Sequence, residues 1–312
     1  MSGVSVRALE ETDLPAADAI FRLAFGTALG LPDPSRFAEG AEPVRSRWLA
    51  DSSAAFAAEV DGRLAGSAFA TRLGTFATLG PLTVHPDFWD RGVGRRLWEE
   101  RMPLLERWGT THAGLFTRPE AKNIHLYGRF GFYPRFLTAL TAKPVEPATE
   151  GVVEPPPVLS RAELEPVVLE CRVLTDATLP GLDLERELRA VADQGIGETV
   201  LLHDGEGLAG FAVCHAGKGS EAAAGACCVK FAAARPGADA AGWFGRLLDA
   251  CEALAAGLGL RRIEAGVNLA RHGAYHVLLE RGYRPWAYGV AMQRPNEPGY
   301  NRADVYVVDD WR

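Results

Sequence analysis

Residues Asp90 to Arg96 read Asp-Arg-Gly-Val-Gly-Arg-Arg, a pattern suited to holding phosphate. Gly92 and Gly94 let the backbone come close to a ligand. Arg91, Arg95 and Arg96 bring charge and forked donors. An apolar run, Leu79 to Val84, leads in, and a helical pattern leads out. The unpaired N–H groups of a helix's first turn carry partial positive charge and favour an anion. A pyrophosphate is therefore expected on the amides of Gly92, Val93, Gly94, Arg95 and Arg96, with Arg91 beside it. The preceding strand, at Leu82, Thr83 and Val84, can offer backbone groups to an extended amide-bearing ligand, as in strand addition.

A second cluster runs from Glu120 to Phe132. Asn123 and Tyr127 are four residues apart and share a helix face. Gly131 ends that helix. Taken alone, Tyr127 reads as a core aromatic. No Asp or Glu lies in Phe76 to Val84, so the candidates for a general base are Glu59, Glu120 and His85. Glu120 follows the Thr117-Arg118-Pro119 bend and is either that base or a cap for the helix beginning near Ala121. His85, before Pro86, is either a base or a loop-shaping residue.

The elements that must position these residues follow in order. Val4 to Ala8 is a strand, Glu11 to Phe25 a helix, and Arg36 to Leu49 a second helix. Ala54 to Val60 and Leu64 to Arg72 form a hairpin around Asp61-Gly62. Phe76 to Val84 is the strand entering the glycine loop. From Gly94 to Gly109, Trp98, Met102, Leu105 and Trp108 recur at helical spacing and predict a buried stripe. His112 to Thr117 is a strand, Ala121 to Phe130 a helix, and Phe132 to Lys143 a closing strand. Pro144 to Val158 is rich in proline and glutamate and reads as a semi-rigid linker.

The chain has 312 residues, enough for about two domains. A net charge of -7 argues against nucleic-acid binding through a broad basic surface. The five cysteines are odd in number and none has metal-ligand spacing, so no metal is expected. They read as buried thiols in a reducing compartment. The N-terminus has no apolar signal core, and no apolar run is long enough to span a bilayer. A cytoplasmic protein with no membrane association is the expectation.

In this order, with these motifs, the first half resembles the GNAT N-acetyltransferase superfamily over roughly Val4 to Lys143. Asp90 to Arg96 matches the end of its acyl-CoA pyrophosphate motif, with Trp89 standing where members usually carry Gln or Arg. Tyr127-Gly-Arg-Phe-Gly131-Phe132 matches its later helix. The resemblance implies that Tyr127 protonates the departing CoA thiolate. It also implies an Asn near the pantetheine, about two turns before that Tyr. Glu120 occupies the place, and Asn123, one turn nearer, is the substitute. The expected fold is α/β (α+β): two tandem GNAT-like domains, each a mixed, mostly antiparallel sheet flanked by helices with a central V-shaped splay.

The second half repeats the outline. Strands are predicted at Glu198 to His203, Leu208 to His215, Ala226 to Ala234, Arg262 to Val267 and Tyr283 to Met292. Helices are predicted at Arg161 to Val173, Leu184 to Asp193, Trp243 to Leu258 and Arg271 to Glu280. Val305 to Val308 reads as one more strand. Placing Gly131-Phe132 on Gly282-Tyr283 gives an offset of 151 residues and sets Pro134 on Pro285. Tyr127 then falls on Leu278, Asn123 on Ala274, and Gly92 on Trp243. The expected organisation is an acetyltransferase domain at 1–143, a linker at 144–158, and a degenerate copy at 159–312 without a CoA site. The expected activity is transfer of acetyl from acetyl-CoA to a primary amine of a small molecule or peptide, with a homodimer as the assembly. The alternative is a non-catalytic acyl-CoA-binding sensor.

Overall fold

The computed structural model of the protein describes residues 3–146 and 161–312, so most of the expected linker lies outside the described residues. The first half begins with strand β1 (Val4–Ala8), helix α1 (Leu14–Ala28) and helix α2 (Pro43–Ala50). The hairpin of β2 (Ala55–Val60) and β3 (Arg63–Leu73) turns at Asp61 and Gly62, both left-handed, as an Asp-Gly turn requires. Then come β4 (Phe76–Val84), α3 (Val93–Arg107), β5 (His112–Thr117), α4 (Ala121–Gly128) and β6 (Tyr133–Pro144). The second half repeats the order with α5 (Arg161–Thr178), α6 (Glu185–Gln194), β7 (Gly197–Asp204), β8 (Gly207–Ala216) and β9 (Ala226–Ala234). It continues through α7 (Ala240–Gly257), β10 (Arg262–Asn268), α8 (His272–Glu280), β11 (Arg284–Arg294) and β12 (Val307–Val308).

The halves do not keep separate sheets. One sheet runs in the order β1-β2-β3-β4-β5-β11-β6-β10-β9-β8-β7, with β12 beside β9. Each half hands its late strand to the other. β11 pairs antiparallel with β5, from Val290 opposite Thr117 to Arg294 opposite Ala113. β6 pairs antiparallel with β10, from Thr138 opposite Asn268 to Pro144 opposite Arg262. The internal repeat makes this exchange possible, since β6 and β11 occupy equivalent places in chain order and each fits the other's slot.

Strand alternation sorts the core to two faces. On β3, Phe69 packs with α1 and α2 residues, including Leu14, Phe21 and Val44. Its neighbour Ala68 faces α3 through Val93 and Leu97. In the second half Phe211 and Phe231 join α5 and α6, whereas Ala212 and Ala232 join α7. The stripe on α3 is buried as expected at Trp98 and Leu105, with Met102 and Trp108 packed at its margin. All five cysteines are buried and free. Among the described residues no helix is long and apolar enough to cross a membrane.

Candidate active site

β4 and β5 are parallel neighbours over only three pairs, Phe76 to His112, Ala77 to Ala113 and Thr78 to Gly114. Beyond them the strands part, and β4 continues to Val84 while pairing only with β3. The register between β3 and β4 also shifts between Ala68 and Ala70, where Gly80-Pro81 bulges. Proline lacks the N–H a ladder needs. Arg47 Nη1 donates to the Gly80 carbonyl at 2.6 Å. The carbonyl of Phe69, opposite the bulge, accepts from Arg101 Nη1 at 2.9 Å. Two guanidinium groups thus satisfy the main chain where the ladder is broken.

The glycine loop lies at the open end. Gly92 has φ +81 and is the N-cap of α3, a backbone conformation that costs an L-residue about 1–2 kcal/mol. The first helical bond runs from Arg96 N to the Gly92 carbonyl at 3.0 Å, so the amides before it stay unpaired within the helix. A Cβ at Gly94 would touch the Leu82 and Val84 side chains at 3.6 and 3.7 Å, so the start of α3 packs against the end of β4. Leu82, Thr83, Val84 and the turn at Gly92, Val93 and Gly94 therefore converge. Arg95 and Arg96 are exposed and reach back along α3 to Glu99, at 2.7 and 2.8 Å. Arg91 lies over the Phe88 ring at 5.4 Å. The arginines flank the loop, whose amides before Arg96 are unpaired within the helix.

Trp89, an oddity in the sequence, has two contacts. Its Nε1 donates to the Val84 carbonyl at 2.8 Å and closes the end of β4. Lys122 of α4 sits 5.3 Å over its ring, so the residue ties the loop to α4.

On α4, the Tyr127 ring packs 4.9 Å from Trp98 of α3. Burial holds its phenol above its ordinary pKa, with the Arg101 charge and the Thr117 hydroxyl acting the other way. Arg101 is fully buried, lies 4.3 Å from the Trp98 ring centre, and has no partner for Nε or Nη2. Burial pulls its guanidinium down to about 9, still a cation at neutral pH. Sequence reasoning missed Arg101 and Arg47. Arg101 had a signal, because it falls on the Trp98–Leu105 stripe at helical spacing, where a charge is out of place. Arg47 had none, since its partners are brought by other elements.

The remaining candidates scatter. Glu120 is the N-cap residue of α4, but its carboxylate makes no capping bond; Arg118 pairs with it and Asn123 Nδ2 donates to it at 3.3 Å. Glu59 is held by Arg7 at 2.9 Å on the β1–β2 edge, two strands from β4. His85 Nδ1 accepts from the Asp87 amide at 3.2 Å. Tyr127 packs on Trp98 of α3, the helix that the glycine loop begins, and each of the three base candidates has a partner.

Residues 20–132 match the acetyltransferase (GNAT) family. That span contains β4, the glycine loop and α4. No curated protein matches the chain. Several solved structures share the whole arrangement. A Pyrococcus horikoshii protein described as an acetyltransferase aligns over 100% of this chain and 96% of its own, with a TM-score of 0.68 and 16% identity. A GCN5-related N-acetyltransferase from Sphaerobacter thermophilus aligns over 93% and 95%, with a TM-score of 0.59 and 18% identity. A tandem GNAT protein from the clavulanic acid biosynthesis pathway aligns over 93% and 98%, with a TM-score of 0.55 and 16% identity. At such identities the likeness is of fold: a tandem GNAT architecture with a mixed, mostly antiparallel sheet flanked by helices. The family match and the fold support acyl transfer.

Proposed function

We propose that the protein moves an acetyl group from acetyl-CoA to a primary amine, in the cleft between β4 and β5. The observation that carries this is the convergence of the parted strands, the left-handed Gly92 turn and Tyr127. The residues fit the co-substrate. The open edge of β4 suits the amides of a pantetheine arm, and the unpaired amides of the α3 N-terminus suit a pyrophosphate. Acetyl-CoA supplies an activated thioester. The backbone of Leu82 to Val84 polarises its carbonyl. The neutral amine attacks that carbon, the C–S bond breaks and Tyr127 gives its proton to the sulfur; the nitrogen of the new amide releases its extra proton to solvent, and Tyr127 takes one back. A raised phenol pKa keeps that proton available through neutral pH.

The second half supports assigning the reaction to the first. There β9 and β10 also part, after four parallel pairs ending at Val229 and Ala265. The gap holds protein. β12 pairs with β9 at Val307 and Val308, and Asp309 bridges to Val267. Trp243, the counterpart of Gly92, lies inside α7, which begins at Ala240. The helix has grown by a turn over the place of the loop.

Two measurements test this. Transfer assays over a panel of amines should show acetylation; binding of acetyl-CoA without turnover on any amine would favour the sensor reading. Gly92→Trp, copying the second half, should abolish acetyl-CoA binding in calorimetry. Wild-type affinity in that variant would refute the site.

A further inference from the structure

One carboxylate of the second half reaches the central strand of the first through a single guanidinium. In the β3–β4 ladder, Gly80 and Pro81 together oppose Phe69. Such a bulge bends its strand and sets the direction of the groups that follow, here Leu82, Thr83 and Val84. Arg47 of α2 holds the bulge from the side. Its Nη1 donates to the Gly80 carbonyl at 2.6 Å. Its Nε and Nη2 donate to the two carboxylate oxygens of Glu221 at 2.8 and 2.6 Å, and Nη2 also reaches the Arg312 main-chain oxygen at 2.6 Å. The side chains of Arg47 and Glu221 are only 10% and 11% exposed, so water competes little for these bonds.

Glu221 is itself fixed. Lys230 donates to it at 2.8 Å. Against burial, which acts upward, Arg47 and Lys230 hold its carboxyl well below the usual range, so it stays an anion. The loop that carries it is docked on both flanks. The Glu42 amide donates to the Ser220 carbonyl at 2.7 Å, and the Ala224 amide donates to the Glu39 carbonyl at 3.1 Å. A planar guanidinium gripped at two points by a carboxylate has its orientation set. Where Nη1 lies, and with it the Gly80 carbonyl, therefore follows from where the second half holds Glu221.

We propose that Glu221 is a positioning residue for β4, acting through Arg47, so that the second half sets the conformation of the strand along which the thioester lies. The half without a glycine loop then has a task in the reaction of the other. Arg186 and Asp51 pair across the same junction without touching β4, and they serve as the control. The effect on turnover rests on the acetyl-transfer reading; the effect on β4 does not.

The test compares the full chain as wild type, Glu221→Gln, Arg47→Lys, the double variant and Arg186→Gln, by hydrogen exchange over Leu79–Val84 and by steady-state kinetics. Lysine keeps the charge and loses the fork. Exchange over Leu79–Val84 should quicken by roughly tenfold in either single variant, the worth of one charge-assisted bond. The double variant should be no worse than Arg47→Lys alone, because both act on one contact. kcat should fall in parallel, with the KM for the amine little changed, while Arg186→Gln leaves both exchange and kcat as in the wild type. Wild-type exchange in Glu221→Gln, additive losses in the double variant, or the same quickening in Arg186→Gln would overturn the inference. If Arg47→Lys does not fold, Glu221→Gln against Arg186→Gln decides it. If the wild type acetylates no amine while exchange responds to Glu221→Gln, the transfer reading falls and the link to β4 stands.

Discussion

Tyr127 holds a proton that its surroundings keep in place. Burial against Trp98 raises its pKa, and the Arg101 charge nearby favours the anion left once the proton has gone. Tyr127→Phe should lower kcat by roughly 10²–10⁴, the usual worth of a positioned acid, while the Kd for acetyl-CoA is unchanged. Steady-state kinetics with calorimetry will decide; full turnover would remove Tyr127 from the reaction. His215 makes a second prediction. Its folded pKa of about 4 lies below the ordinary 6.5, so between those values the unfolded chain holds a proton that the native state lacks. Stability should fall as pH drops through that window, by at most about 3 kcal/mol from this residue. Glu221 adds a loss of the same sign, while Arg47 and Lys230 face the ring as cations. Urea unfolding of His215→Phe across the same range should show a flatter profile, and an unchanged slope would refute the assignment.

The C-terminal segment is short, yet it acts as core. Val305, Val307, Val308 and Trp311 are all buried. Trp311 packs 5.3 Å from Phe76 of the first half, and its Nε1 donates to the Tyr300 hydroxyl at 2.5 Å. It also lies against Gly114 of β5, where a Cβ would come within 2.5 Å of the indole. Trp311→Ala should cost about 3–5 kcal/mol, readable as a lowered urea midpoint. Gly114→Ala, small as it is, should destabilise as well, because the indole is wedged between strands. Helices α3 and α7 begin differently. A left-handed glycine stops α3 at Val93, whereas Trp243 is accommodated within an extra turn of α7.

Exchange of β6 and β11 makes the two halves one folding problem. β5 finds its outer neighbour in β11, and β10 finds its own in β6. The cluster that joins them includes Leu73 and Phe76 with Leu182, Phe231, Tyr300 and Trp311. Arg47 adds an ion pair across the junction with Glu221. Thermal unfolding should therefore be a single transition with equal calorimetric and van't Hoff enthalpies, and two separated transitions would refute the coupling. A fragment ending at residue 146 should fail to fold as a monomer, because β5 would present an unpaired edge.

Local signals were legible because they are written in neighbouring residues. Helical and strand periods placed nearly every element within a few residues, and His112–Thr117 was read with its observed bounds. The glycine loop and the Tyr127 helix were visible as spacings, and Trp243 marked where the second copy departs. What depends on partners far apart in the chain was not. The repeat itself hid the strand exchange, since two equivalent strands read alike whichever sheet half they join. The cluster of Arg47, Glu221 and Lys230 draws on both halves, with Arg47 and Glu221 lying 174 residues apart. No period or motif spans such a distance. Sequence determined the elements and the glycine turn before α3; tertiary structure decided which strands meet and which parted pair is filled by the C-terminal segment, because those contacts join residues far apart in the chain.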